Sequence, residues 1–473
     1  MLTLADVIEA LTSTRPEMAD TVITEAAIDS RQVIPGSLFV ALPGERVDGH
    51  TYVRDAFRRG ASFALIQHEP SDPVRILDLR DGLPPQALAG LELPFCLLVK
   101  DSLASLQQIA RFWRRKLDLR VIGITGSVGK STTKEMIAEV LGMHYRTLKS
   151  PGNLNNEIGL PLTVLRLGSG YERAVLEMGF YVPGEIAFLC DIALPEIGVV
   201  TNVGTVHAER AGSQEAIARG KAELVQSLPS APQGVAVLNY DDPWVKGMAA
   251  QTKARVFFYG LDPAADLWAD EVEGLGLDGI RFRLHYGQES LHVHIPLIGQ
   301  HSVHTALRAA AVGLVDGLSW TEILDGLQHG HTQLRLVAVR SENGALLLDD
   351  TYNASPESML AALNLLAELD GRKVAVLGDM LELGPYERQG HEMVGVRAAE
   401  IADRLVTVGM RGHMIAASAR QAGLDPEAVM EFDNTDEAIG YLGRSLNDQD
   451  VVLVKGSNAV HMDRIVAALE VPA

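Results

Sequence analysis

The segment VIGITGSVGKSTTK (121–134) constrains this chain more than any other. An apolar run leads into a turn carrying Gly126 and Gly129, and Lys130, Ser131 and Thr132 then open a helical pattern. Glycines in such a turn let backbone N–H groups face inward, and the helix N-terminus adds partial positive charge, so the turn suits phosphate oxygens. Lys130 is placed to reach the β- and γ-phosphates of a nucleotide, and the Ser131 hydroxyl to hold Mg2+. Ile124 stands where the strict G-x-x-x-x-G-K-[ST] spacing has glycine, but the shorter form keeps strand, turn, lysine and hydroxyl in order. In an open parallel sheet, ligands collect outside the carboxyl ends of the strands, where this loop falls. The loop leaves kinase, GTPase, motor and ligase chemistry open, and the missing N-K-x-D motif disfavours a GTPase.

The flanking sequence alternates in the same way. The apolar runs VIGIT (121–125), RAVLEMG (173–179), IGVVTNV (197–203), GVAVLN (234–239) and RVFFYG (255–260) are separated by helical patterns near 130–142, 184–193, 213–228 and 242–251. Near-continuous apolar strands predict a parallel sheet covered on both faces. Ile280, Phe282, Leu284 and Tyr286, then Leu291, Val293 and Ile295, alternate instead. That predicts an antiparallel hairpin with one wet face, followed by a helix near 301–316. VAVLG (374–378), RLVTVG (404–409) and VVLVKG (451–456) repeat the buried-strand pattern, with helices near 357–369, 390–401, 411–422, 435–446 and 459–469. Upstream, SLFVAL (37–42) and SFALIQ (62–67) read as short strands, 68–95 as a loop or irregular edge, and 101–116 as a helix bridging into the next unit. At roughly 150 residues per domain the length predicts about three. The expected class is α/β: a small mixed α/β N-terminal domain over 1–100, a central P-loop parallel-sheet ATPase domain over 101–331, and a C-terminal Rossmann-like domain over 332–473.

Three residues beyond the loop stand out. Glu177 closes AVLEMG at a strand end, as a solvated acid or as an oxygen ligand for Mg2+. His207 follows IGVVTNVGTVH, as a loop or core imidazole or as a ligand. In GSQEAIARGKAELVQSL (212–228), positions 217, 221, 224 and 228 share one face and are Ile, Lys, Leu and Leu. A charged lysine on an apolar stripe is costly. Lys221 either snorkels at the edge or is neutralised by burial. A neutral amine can take up CO2 as a carbamate, which turns a cation into a metal-binding anion.

Composition narrows the setting. Sixty-one acidic against 41 basic residues leave a net charge of −20, poorly suited to gripping nucleic acid over a broad surface. Cys96 and Cys190 are the only cysteines and cannot build a disulfide framework or zinc ribbon, so a reducing cytoplasm is expected. The N-terminal stretch carries Asp6 and Glu9 and lacks the pattern of a signal peptide. No run of ~18 apolar residues predicts a membrane span.

These motifs, in this order over nearly the whole chain, resemble the Mur ligase family. IDSRQVIPGSLFVALPGERVDGH (28–50) is similar to the family's UDP-sugar-binding region, and TGSVGKSTTK to its ATP loop. SPGNLNNEIGLPLTVL (150–165) and LEMG (176–179) are similar to central motifs, and TNVGTVHAERAGSQEAIARGKAEL (201–224) to the stretch with a metal-binding His and a carbamylated Lys. LNYDDP (238–243) resembles the adenine-reading segment, and DDTYNASPESM (349–359), LGDMLELG (377–384) and KGSNAVHMDRIV (455–466) resemble C-terminal motifs. The resemblance implies an ATP-dependent amide ligase of peptidoglycan precursor synthesis, joining D-alanyl-D-alanine to UDP-N-acetylmuramoyl-tripeptide through an acyl phosphate. It implies ATP binding by Thr125, Gly126, Ser127, Val128, Gly129, Lys130, Ser131, Thr132, Asn239 and Arg335. Two Mg2+ ions are implied, one on Ser131 and Glu177 and one on His207 and carbamylated Lys221, with Lys130, Lys221 and His207 catalytic. Substrate contacts are implied at Ser30, Arg31, Asn153, Asn156, Asp349, Asn353 and Lys455, with closure of the C-terminal domain. The implied protein is a cytoplasmic monomer with no nucleic-acid partner. The alternatives are another ATP-dependent amide ligase, such as a folylpolyglutamate synthase or another Mur step, and a P-loop switch without covalent chemistry. The DNPR motif of the diaminopimelate-adding relative is absent. Ser302 and Thr305 in GQHSVHTALRA (299–309), and Ser355, stand where the family pattern has Asn, and Asn458 where Arg is common.

Overall fold

The computed structural model describes every residue except 18, 45–46, 85–87, 89–90, 330–336 and 472–473. Three sheets follow one another along the chain. The first is parallel throughout: β1 (Ala26–Ala27), β2 (Leu38–Val40), β3 (Phe63–Ile66), β4 (Ile76–Asp78) and β5 (Phe95–Leu98) lie in the order β1-β2-β3-β5-β4. The second holds β6 (Arg120–Thr125), β7 (Thr147–Lys149), β8 (Arg173–Glu177), β9 (Ile197–Val200), β10 (Val235–Asn239), β11 (Arg255–Gly260), β12 (Leu267–Gly274), β13 (Ile280–Tyr286) and β14 (Glu289–Ile295). Their order is β14-β13-β12-β11-β10-β9-β6-β8-β7, parallel from β7 to β12 and antiparallel across β12, β13 and β14. The third, in the order β15-β16-β20-β17-β18-β19, is built from β15 (Val337–Arg340), β16 (Leu346–Asp350), β17 (Arg372–Gly378), β18 (Arg404–Val408), β19 (Val429–Phe432) and β20 (Asp450–Lys455). It is parallel except where β15 pairs with β16.

The central sheet is apolar on both sides because both sides are covered. Along β6, Val121 enters one core and Ile122 and Ile124 the other, as the period-two alternation of a strand requires. Helices Lys130–Gly142 and Val303–Val315 close one face with Met136, Ile137, Leu307 and Ala310. Helices Ser102–Arg115, Glu185–Ala193 and Gln214–Gln226 close the other with Leu106, Ile109, Ile186 and Ile217. Fully burying each of the Leu, Ile and Met side chains among these contributes about 1.5–3 kcal/mol.

The helix expected at 130–142 spans those residues, and the expected hairpin is β13 and β14. Two apolar runs stop early. RAVLEMG pairs only to Glu177 and IGVVTNV only to Val200, and past Val200 the side chains of Thr201 and Asn202 bond the neighbouring loop. The 68–95 stretch contributes β4 as an edge strand. Helices Leu4–Thr12, Gly159–Leu165 and Trp320–His329, and strands β7, β12, β15, β16 and β19, are additions to the sequence reading. The last helix starts at Asp463, after a single 3-10 turn at Asn458–Val460. Among the described residues, no helix is long and apolar enough to cross a membrane.

Candidate active site

β6 ends at Thr125 and the next helix begins at Lys130, so residues 126–129 must reverse the chain. Gly126 has φ 148° and Gly129 φ 80°. A Cβ on Gly126 would fall 1.8 Å from Thr201 Oγ1, so only glycine lets the loop pass the end of β9. The loop is braced by its neighbour. Ser127 N–H donates to Asn202 O at 3.0 Å, Val128 N–H donates to Asn202 Oδ1 at 2.9 Å, and Thr201 Oγ1 donates to Val128 O at 2.7 Å. The sequence reading turned the loop's own N–H groups toward phosphate. Those of Ser127 and Val128 are instead committed to Asn202, and the cleft receives the N-terminus of helix Lys130–Gly142 with its dipole. Lys130 Nζ curls back, donating to Gly126 O at 2.8 Å and Ser127 O at 3.3 Å. Ser127 through Thr132 line a cleft of about 560 Å³. Thr125 and Gly126 do not: Thr125 is fully buried behind the loop, its Oγ1 donating to Met178 O at 3.1 Å.

Glu177, at the end of β8, faces the loop. Ser131 Oγ donates to its Oε2 at 2.7 Å, and Asn155 Nδ2 donates to its Oε1 at 2.8 Å. Asn155 is thus a site residue that the sequence reading passed over in favour of its neighbours. Asn153 lines the cleft. Asn156 turns away, its Oδ1 accepting from Gly159 N–H at 2.9 Å at the start of a helix, so it braces the turn into that helix. Lys134, buried inside the phosphate-loop helix, donates to Gly152 O at 2.8 Å and ties this asparagine loop in place.

His207 adopts φ 68°, unusual for a residue with a side chain. Its ring lies edge-on to Tyr181, and Nδ1 sits 2.6 Å from Glu382 Oε2. That leaves Nε2 as the nitrogen that can ligate. Burial pushes the imidazole down from its ordinary pKa, with the Glu382 carboxylate pulling the other way. Lys221 is 1% exposed, which removes the snorkelling reading. Its Nζ lies 5.0 Å from the centre of the Phe180 ring, and no carboxylate pairs with it among the described residues. Burial, then the charge of Lys130, holds its pKa well below the usual lysine range. Phe180 packs so closely on Gly220 that a Cβ there would sit 1.9 Å from the ring.

The third sheet supplies the opposite wall. Lys455 Nζ lies 2.7 Å from Asp350 Oδ2 and donates to Asn353 O at 2.9 Å, and all three residues line the cleft. Asp349 does not line it, and its Oδ1 accepts from Thr351 N–H and Oγ1. Glu357 reaches across to the central unit, its Oε1 accepting from Thr205 N–H at 3.3 Å. Asn239 lines the cleft from β10, with Nδ2 donating to Thr201 O at 3.2 Å. Ser30 and Arg31 lie away from the cleft. Ser30 Oγ donates to Asp55 at 2.8 Å, and Arg31 pairs with Asp29 at 2.7 Å while 80% of its side chain stays exposed. Arg335 lies outside the described residues. The departures from the family pattern have local partners. Ser355 caps helix Pro356–Glu368, Ser302 Oγ donates to Ile298 O at 2.8 Å, and Asn458 Nδ2 donates to Tyr352 O at 3.4 Å.

Residues 22–77 match the Mur ligase family catalytic domain, 124–313 the Mur ligase middle domain, and 334–458 the Mur ligase glutamate ligase domain. The chain is 36% identical to the UDP-N-acetylmuramoyl-tripeptide–D-alanyl-D-alanine ligase of Bacillus subtilis strain 168, over 97% of this chain and 95% of that one. A crystal structure of MurF from Acinetobacter baumannii superposes with a TM-score of 0.82 at 31% identity, covering 98% of this chain and 97% of that one. The MurF ligase of Thermotoga maritima in complex with ADP superposes with a TM-score of 0.77 at 27% identity, covering 95% and 98%.

Proposed function

This chain belongs to the Mur ligase family, and on that premise we propose that it joins D-alanyl-D-alanine to UDP-N-acetylmuramoyl-tripeptide at the expense of ATP, in peptidoglycan precursor synthesis. The observation that carries this reading is the likeness to the Bacillus subtilis ligase over 97% of the chain. A phosphate loop opening onto a cleft walled by two sheets supports it.

The tripeptide's terminal carboxylate oxygen attacks the γ-phosphorus of ATP, and the bond to the bridging oxygen breaks. ADP leaves and an acyl phosphate remains. The amine of D-alanyl-D-alanine then attacks the acyl carbon, the C–O bond to phosphate breaks, and the amine's surplus proton passes to solvent. Two anions meet in the first step, so the site must supply positive charge before the reaction begins. Lys130 does so by exchanging its loop carbonyls for phosphate oxygens. Helix Lys130–Gly142 contributes its N-terminal dipole. Asn239 serves the adenine side, Asn153 and Asn353 the reacting end of the substrate. We assign the UDP portion to the first sheet, where the Arg31 guanidinium is exposed.

The donor set suits hard cations. The Ser131 hydroxyl and Glu177 carboxylate, 2.7 Å apart, form one oxygen cluster, and His207 Nε2 with a carbamate on Lys221 forms the second. Bound there, Mg2+ neutralises phosphate charge. Buried and neutral, the Lys221 amine attacks the carbon of CO2, a C–N bond forms, one carbonyl pair moves to oxygen, and a proton leaves to solvent. Glu357 on Thr205 N–H and Glu382 on His207 hold the C-terminal unit against the segment after β9, an approach that excludes water that would hydrolyse the acyl phosphate. Two buried free cysteines suit a reducing cytoplasm.

Phosphate release from MgATP tests the reading. It should require both UDP-N-acetylmuramoyl-tripeptide and D-alanyl-D-alanine. Release driven equally well by glutamate or diaminopimelate would place the chain at another step.

A further inference from the structure

Arg308 lies on helix Val303–Val315, three residues after Thr305. It is 4% exposed, yet it is part of the cleft wall. Its Nη2 donates to Thr305 Oγ1 at 2.9 Å, its Nη1 donates to the Tyr259 hydroxyl at 3.4 Å, and its Nε has no hydrogen-bond partner. No carboxylate pairs with it among the described residues. A guanidinium cannot shed its proton to escape burial, as Lys221 can. A desolvated guanidinium held by two neutral oxygens is therefore costly until an anion completes it. The direction of that anion is visible. A Cβ on Gly129 would lie 3.4 Å from Arg308 Nη2, so the guanidinium rests against the last residue of the phosphate loop, beside Lys130.

We propose that Arg308 is a second cationic ligand for the nucleotide phosphates, reaching the loop from the helix that packs over it. Its planar fork offers N–H donors that match phosphate oxygens in pairs. Thr305 is the positioning residue, accepting one N–H and aiming the rest. The assignment rests on the ATP-dependent reading above, and it adds a contact made by a side chain that none of the motifs singled out.

Calorimetric titration of the full chain with MgATP, MgADP and adenosine separates the outcomes. In R308Q, affinity for MgATP and MgADP should fall ~10–100-fold, the range of a lost charged hydrogen-bond pair, while adenosine affinity stays at the parent value. R308K, which keeps the charge and loses the fork, should lose several-fold and decides the matter if R308Q does not fold. MgATP affinity within twofold of the parent in both variants would overturn the assignment. So would an equal loss for adenosine, since that would place Arg308 on the base. A parent chain that binds no MgATP would sink the ligase reading itself, a failure distinct from that of Arg308.

Discussion

Lys455, on the C-terminal wall of the cleft, and Lys221, buried within the central unit, are alike at 2% and 1% exposure. Lys455 has Asp350 at 2.7 Å and a backbone carbonyl beside it, whereas Lys221 faces an aromatic ring and feels the charge of Lys130. The first is a completed ion pair, the second an amine whose charged form burial and the charge of Lys130 disfavour. Breaking a completed pair leaves a charge stranded and costs stability. On the proposed reading, removing an uncompensated amine costs the fold little and the chemistry a great deal. On the proposed carbamate reading, the central unit has traded stability for function, whereas the C-terminal wall holds its cation in a completed pair.

The sharpest way to break this contrast is Lys130→Ala. Substrate-dependent ADP formation should fall ~10²–10³-fold, the usual cost of losing a charge donor aimed at the transition state. A rate near the parent's would remove the loop from the reaction. Lys221→Ala should lose activity on a similar scale while its melting temperature holds or rises, and millimolar formate or acetate should restore part of the rate. Unchanged activity would end the carbamate assignment. Glu382→Gln tests whether the third sheet tunes a ligand on the central one. A loss of ~10–100-fold in apparent Mg2+ affinity or activity is expected, as for other partners of metal-binding imidazoles, and a Mg2+ titration reads it. The smallest effect should come from Asp350→Asn. Stranding Lys455 should cost about 2 kcal/mol, below the range for fully buried pairs because Asp350 is 19% exposed in its side chain. Denaturant unfolding measures that, and no loss would mean the pair is not a structural element.

Where local pattern decides the structure, the sequence was readable. Helix Lys130–Gly142 follows from glycine, lysine and a hydroxyl after an apolar strand, and Lys221 was conspicuous as a cation on an apolar face. The contacts that complete the site were hidden, because they join segments far apart in the chain. Asn202 braces a loop 74 residues earlier, and nothing in TNVGT declares it. Register was hidden too. Asp349 and Asp350 are adjacent, so their side chains point to opposite faces of β16. Only the pairing of Asp350 with Lys455 across β16 and β20 puts the second, and not the first, into the cleft. Asn156 and Asn155 exchanged roles for a similar reason: a helix start claimed one and Glu177 the other. β16 itself, only five residues long, is too short for periodicity to announce.

The grip of Glu382 on His207, between residues 175 positions apart, carries a consequence for timing. A carboxylate on Nδ1 fixes the proton there and leaves the lone pair on Nε2, so the tautomer able to ligate exists by virtue of a residue on the other lobe. Were the lobes to part, that choice of tautomer would lapse along with the shelter from water. On the proposed reaction, such a movement would discourage idle hydrolysis of ATP at the source, since it would assemble the arrangement that spends the nucleotide as it encloses the acceptor.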